Sequence, residues 1–377
     1  MAKQKTTRVA ELVGLLNSLY PPALAEDWDN VGLQIGDPAA AVERILVCLD
    51  AEELAIKEAE RLDAQLVISH HPLIYKPLRR LSPVDEVGRT LFRAIRSDIA
   101  VFSAHTNLDR AADGLNDWLA ARLGLERCQP LEKPQSGEFF KLVVFVPGGH
   151  ETELMDALFA AGAGQVGEYD RCSFRSEGTG SFRGREGTDP FIGQPGKHEE
   201  AEEFRLETIV PVARLAKVVA RMLKAHPYEE IAYDLIPLAN TRTDIGLGRI
   251  GRLNEEISLQ QFADQVRKQL AVPTVRLVGE PARIISKIAV CGGSGTSLLS
   301  EALRQGADCL VTGDVKYHDA QRARAEGLAL IDAGHFSTER FMVEELSKRL
   351  KLALAERQLP VEVIEMTVEQ DPFIVVD

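Results

Sequence analysis

The feature that most constrains this chain is a repeated grammar: a short apolar run, a turn, then an amphipathic stretch. Near the start, ERILVCLD (43–50) reads as a strand and AEELAIKEAERLD (51–63) as a helix. QLVISHHP (65–72) is again a strand, VGRTLFRAIRSD (87–98) a helix, and IAVFSAHTNLD (99–109) a strand running into a loop before a helix through Leu123. The pattern resumes far along the chain. Lys287–Cys291 is a strand, GGSG a turn, TSLLSEALRQG a helix, ADCLVTGD a strand, KYHDAQRARAEG a helix, LALIDAGH a strand and STERFMVEELSKRLKLAL a helix. Apolar strands alternating with helices predict an α/β fold, with a mostly parallel sheet flanked by helices and built from both ends of the chain. Val9, Leu12, Leu16 and Leu19 add an amphipathic helix stopped by Pro21-Pro22.

Between the two ends the grammar changes. Residues 139–240 run as the strand FFKLVVFVP, the helix HETELMDALFAAGAG, two segments around a glycine-rich acidic stretch, then the strand RLETIVPV, the helix ARLAKVVARMLKAHP and the strand EIAYDLIPL. This β-α-β-β-α-β order predicts a ferredoxin-like α+β insert, with the glycine-rich stretch as a long, mobile hairpin loop. The expected division is 1–130 and 245–377 as two halves of one α/β domain, with 131–244 inserted. Its boundaries fall near Leu131–Gly137 and Ala239–Ile245. A chain of 377 residues suits such a division.

Composition narrows the class. With 45% hydrophobic and 27% charged residues the chain is of globular type. A net charge of −13, from 44 basic and 57 acidic residues, disfavours a nucleic-acid partner. The opening residues lack a signal-peptide h-region, and no run approaches the length of a membrane span, so a cytoplasmic protein is expected. The five cysteines are scattered, without a CxxC pair, which argues against disulfides and against a thiolate zinc site. Cys48 and Cys291 sit in apolar runs, as core filling would.

Ligands in parallel α/β sheets bind beyond the carboxyl ends of strands. His70-His71 ends one strand, Asp109 follows another with His105 between, His335 ends a third, and Glu339 lies four residues on, in the first turn of the next helix. Adjacent imidazoles on an irregular end can face two ions, and a carboxylate can bridge ions about 3.5–4 Å apart. Five such ligands leave coordination positions open, and imidazole with carboxylate suits zinc, iron or manganese. Each of these histidines could equally be a hydrogen-bonded loop residue. His105 and His318 are candidates for a general acid or a partner of a metal ligand, with the same plain alternative. CGGSG (291–295) lacks the P-loop lysine and reads as a tight turn rather than a phosphate loop.

WDNVGLQIGD (28–37), VISHHPLIYKPL (67–78), AHTNLD (104–109), VTGDVKYHDA (311–320) and DAGHFSTE (332–339), in this order, resemble the Ngg-interacting-factor-three-like family, and TVEQDPF resembles its usual end. Members are often labelled type-two homologues of GTP cyclohydrolase I. The resemblance implies a dinuclear metal site, two divalent ions per subunit, with His70, His71, Asp109, His335 and Glu339 as ligands. It also implies a toroidal homohexamer and, in long members, a PII/CutA-like insert closing at HPYEEIAYDLIPL (226–238). An acidic residue such as Asp314 beside the ligands fits the family pattern. Within the insert, His226, Glu229 and Glu230 could form a second site, but a helix-to-strand turn with solvent-facing acids is the preferred reading. Functionally the resemblance implies a metal-dependent hydrolase acting on a small molecule. The alternatives are a non-catalytic metal-handling or metal-insertion protein, or a regulatory ring whose insert senses a metabolite.

Overall fold

The computed structural model describes residues 6–133, 139–240 and 242–376. The first stretch holds strands β1 (Gly32–Ile35), β2 (Arg44–Asp50), β3 (Leu66–His71), β4 (Ala100–Ser103) and β5 (Glu126–Glu132). The second holds β6 (Phe139–Pro147), β7 (Ser173–Phe182), β8 (Glu199–Pro211) and β9 (Tyr233–Leu238). The third holds β10 (Leu247–Ser258), β11 (Arg276–Val278), β12 (Ile284–Val290), β13 (Cys309–Thr312), β14 (Ala329–Asp332) and β15 (Glu362–Glu365). The chain divides into two units, Met1–Lys133 with Thr243–Asp377, and Pro134–Arg242. The expected insert boundary at Leu131–Gly137 falls partly outside the described residues.

The larger unit is a mixed α/β fold, and here the expectation of one mostly parallel sheet needs correcting. Each end of the chain builds its own sheet. One has the order β1-β4-β3-β2-β15, parallel except for the antiparallel pair β1–β4. The other has the order β11-β14-β13-β12-β10-β5. Only β12, β13 and β14 are parallel there, while β5, β10 and β11 pair antiparallel. The parallel strands come from the apolar runs; the antiparallel ones were hidden because β5 carries Pro130 and β10 mixes glycines and charges with its apolar residues.

Strand periodicity sorts the core. Ile45, Val47 and Leu49 face one way and join a central cluster; Leu46 and Cys48 face the other and pack on Ala55, Ile56 and Ala59 of the helix Glu53–Arg61. The second sheet divides likewise, Ile288, Val290 and Val311 going to the central cluster, Ala289 and Leu310 to Leu299, Ala302 and Ala323 behind it. Helices Val9–Leu19, Leu115–Arg122, Leu259–Gln269 and Met342–Glu356 fill the central cluster. That shared layer brings the two sheets' functional residues into one unit. Cys48, Cys291 and Cys309 are buried, and burial pushes each thiol up, away from nucleophilic use.

The smaller unit runs β6, helix Glu151–Ala161, β7, β8, helix Leu215–Ala225, β9, in an antiparallel sheet of order β7-β8-β6-β9. The long β7–β8 connection folds back on itself. Its Asp189 N–H donates to Glu229 Oε1 at 3.1 Å, and Phe191 sits between the His150 and Tyr228 rings.

Candidate metal centre

Strand β3 delivers both adjacent histidines, and each is steered by a different acceptor. His70 is fully buried, and its Nδ1–H donates to Ala104 O at 2.8 Å, leaving Nε2 bare. That Nε2 lies 3.6 Å from Asp109 Oδ1 and 3.8 Å from Glu339 Oε1. His71 donates from Nδ1 to Asp50 Oδ1 at 2.7 Å; its Nε2 lies 3.1 Å from Glu339 Oε2 and 3.3 Å from His335 Nε2. His335 in turn donates from Nδ1 to Asp314 Oδ2 at 2.7 Å, and its Nε2 is 3.1 Å from Glu339 Oε2. Glu339 therefore turns Oε1 toward His70 and Oε2 toward His71 and His335, while Asp109 approaches the same His70 nitrogen. All five expected ligands stand at one point of the larger unit.

Local structure explains the convergence. His335 and Glu339 are the ends of one five-residue helix, His335–Glu339, so their four-residue spacing puts both on one face. The sequence predicted a strand-end histidine followed by a single long helix; instead the helix breaks before Met342–Glu356. Asp109 belongs to another short helix, Thr106–Arg110, rather than to a loop. Asp314 reaches His335 from a left-handed backbone position, φ 53°, which aspartate tolerates better than most residues. CGGSG forms the floor as a tight turn. Its amides are already used, Gly292 N–H by Asn116 Oδ1, Gly293 N–H by Thr338 Oγ1 and Gly295 N–H by Thr312 Oγ1, so none of these three is left to cradle a phosphate.

The electrostatics are those of a cation site. Burial alone would raise the Glu339 pKa, but the facing imidazoles of His335, His70 and His71 hold it well below the usual range. Burial works against a charged His71, yet bonds to Asp50 and Glu339 push it up to about 10. Glu339 is the main cause that raises His335 to about 9. Burial raises Asp109.

His70 Nε2 and Asp109 Oδ1 are buried with no hydrogen-bond partner. Such orphans are rare and costly. Donors at about 2.1 Å around a tetrahedral ion stand about 3.4 Å apart. The separations here, 3.1 to 3.8 Å, bracket that figure. The donor set thus fits divalent cations. Two groups of side chains could each hold a metal ion by proximity: His71, His335 and Glu339; and His70, His71 and His105.

His105 stands at the same place, its ring 5.1 Å from that of His70 and 5.6 Å from that of His71. Its Nδ1 is 2.9 Å from Asp29 Oδ1, a carboxylate also taken by the Thr106 N–H and hydroxyl. Burial would raise the Asp29 pKa, but His105 and Thr106 bring it down to about 2. Exposed Trp28 stands edge-on beside it, and exposed Tyr75 edge-on against Trp28. His318 is elsewhere in its surroundings: it is exposed on the helix Tyr317–Glu326, against Tyr317 and Gln321. In the insert, His226 donates from Nε2 to Phe145 O and accepts the Tyr228 N–H at Nδ1, so both nitrogens are used, and burial lowers its pKa. Glu229 and Glu230 are exposed.

Sequence reasoning missed Asp50 and Asp29, which orient His71 and His105. The available signal was weak: Asp50 closes the strand beside the HH strand, and Asp29 lies within WDNVG.

The likeness to known proteins runs along nearly the whole chain. The family model Duf34/NIF3 (NGG1p interacting factor 3) matches residues 7–372. A "GTP cyclohydrolase 1 type 2 homolog" of Halalkalibacterium halodurans is 43% identical, over 96% of this chain and 97% of that protein. One of Bacillus subtilis is 39% identical, over 98% and 99%. Among solved structures, a Bacillus cereus protein related to NIF3 is similar at TM-score 0.90 and 41% identity, over 99% and 100% of the two chains. A Staphylococcus aureus protein is similar at TM-score 0.80 and 32% identity, over 99% and 100%. With residues 7–372 matched by the family model and such relatives covered nearly end to end, the chain belongs to the Duf34/NIF3 family.

Proposed function

We propose that this protein holds two divalent metal ions, zinc, iron or manganese, and uses them as a metal-dependent hydrolase of a small molecule. The observation that carries the reading is the position of Glu339: a buried carboxylate whose Oε1 faces His70, itself 3.6 Å from Asp109, and whose Oε2 faces both His71 and His335. His71, His335 and Glu339 would hold one ion, His70, Asp109 and Glu339 the other. Bound ions would supply Lewis acidity for an electrophile and an acidified water. The protein's own part is orientation and proton movement. Asp50, Asp314 and Ala104 O fix the tautomers of His71, His335 and His70, so that every Nε2 faces the centre. Asp29 fixes His105 Nδ1, which leaves Nε2 as the atom that takes up or gives a proton.

The name that the relatives carry, GTP cyclohydrolase 1 type 2 homolog, supports testing GTP first. Purified chain would be assayed for metal content, then screened against nucleotides and phosphoesters with Glu339→Ala as control. We expect two ions in the wild type and the loss of at least one, together with activity, in Glu339→Ala. Full occupancy in the variant would contradict the assignment. Zinc that exchanges readily, with no turnover on any substrate, would favour a metal-handling role instead. The strand order β7-β8-β6-β9 supports reading the insert as ferredoxin-like, and we read the assembly as the family's homohexamer.

A further inference from the structure

β15 runs parallel to β2 only as far as Glu365 beside Val47, after which the Met366 N–H still donates to Val47 O at 2.9 Å. β2 goes on to Asp50. The amides at its end are taken by one side chain. Leu49 N–H lies 2.9 Å from Glu369 Oε1 and 3.1 Å from Oε2, and Asp50 N–H lies 2.9 Å from Oε1. A carboxylate thus replaces the missing strand. It does so in an unfavourable place: burial raises its pKa, and Asp50 and Glu52 repel it further. Asp50, pinned through its amide, holds the ring of His71 through its side chain, and Asp50 and His71 are register partners across β2 and β3.

We infer that Glu369 is a positioning residue for one of the two ions: it locks the end of β2 so that Asp50 presents His71 Nε2 to the point shared with His335 and Glu339. The inference rests on the dinuclear reading above. It is selective. His70 takes its orientation from Ala104 O, at the end of a different strand, so the ion facing His70 and Asp109 does not depend on Glu369. The segment after β15 is thereby coupled to half of the centre, and the coupling runs in both directions.

Full-length chain stripped with a chelator is titrated with Zn²⁺. The wild type takes two ions; fewer than two would sink the dinuclear reading before any variant is made. In Glu369→Ala one of the two ions binds about tenfold less tightly, the loss typical of removing support behind a ligand, while the other binds as in the wild type. Glu369→Gln keeps an oxygen acceptor at Oε1 and behaves as the wild type. Reciprocity adds a readout that needs no variant: Zn²⁺ slows amide exchange at Leu49 and Asp50 in the wild-type chain by about tenfold. Wild type with two ions, and Glu369→Ala binding both with unchanged affinity, would overturn the inference alone. A variant that merely melts earlier with both ions bound equally tightly would overturn it too. Should Glu369→Ala not fold, exchange at Leu49 and Asp50 that ignores Zn²⁺ decides against it.

Discussion

At Gly293 the backbone adopts φ +57°, and a Cβ there would lie 3.1 Å from two atoms of the His335 ring while running into the Glu339 carboxylate. The CGGSG turn is glycine at this point because the His335 and Glu339 side chains occupy the space another side chain would need. Gly293→Ala should fold, at a cost of about 1 kcal/mol or more for the left-handed conformation, and bind Zn²⁺ more than tenfold less tightly by titration; unchanged affinity would mean the ligands stand elsewhere. Protonation adds a second expectation. With folded pKa values of about 10 for His71 and about 9 for His335, both imidazoles carry protons near neutral pH in metal-free protein. Metal must displace them, so affinity rises with pH toward 9–10, and calorimetry at pH 7 in buffers of different ionisation enthalpy should register proton release. For the metal-free fold the sign is opposite. Raised histidines stabilise it fully below their unfolded pKa, near 6.5, and that contribution is lost as pH climbs through about 9–10. The cluster was legible because HH ends an apolar strand and His335 stands four residues from Glu339. Its supports were not, since Asp50 lies 21 residues from His71 and Asp29 lies 76 from His105; no local pattern links such pairs.

Elements were legible in proportion to how apolar they are. The runs that became β2, β3, β4, β12, β13 and β14 announce themselves, as does the helix Val9–Leu19. The antiparallel strands did not, because their pairing depends on partners and one polar anchor. Arg249 on β10 is that anchor: its side chain is buried, bonded to Asp117 through Nε at 2.6 Å and Nη2 at 2.7 Å, and to the carbonyls of Gly246, Gly248 and Ala111. It ties β10 to the helix Leu115–Arg122 and to the turn that follows Asp109. An arginine in a strand reads as a solvent-facing residue, which is why the sequence predicted nothing here. Removing it strands three carbonyls and a carboxylate. Arg249→Met should cost about 3 kcal/mol in denaturant unfolding. A loss under about 0.5 kcal/mol would show that water replaces the guanidinium without penalty.

At the scale of the molecule, the insertion makes sense from the larger unit alone. β5 ends at Glu132 and β10 begins at Leu247, and these two residues are register partners. The chain leaves and returns at the open end of one antiparallel pair, so a long excursion there need not interrupt the pairing. Assembly is the remaining question at this scale, and the surface bears on it. Leu78, Leu81 and Val84, which is 83% exposed, stand together on the segment after His71, and Leu54 and Ile95 are exposed on the neighbouring helices. We propose that these exposed apolar side chains are where another copy of the chain docks. If the homohexamer is the assembly, sedimentation equilibrium of the wild type should give six times the mass of one chain, and Leu81→Glu with Val84→Glu should lower it to a smaller species. Each of the ligand side chains comes from the same chain, so such a variant should still bind two ions per subunit. A wild type that sediments as a single chain, with this patch in water, would refute the assembly while leaving the metal centre standing.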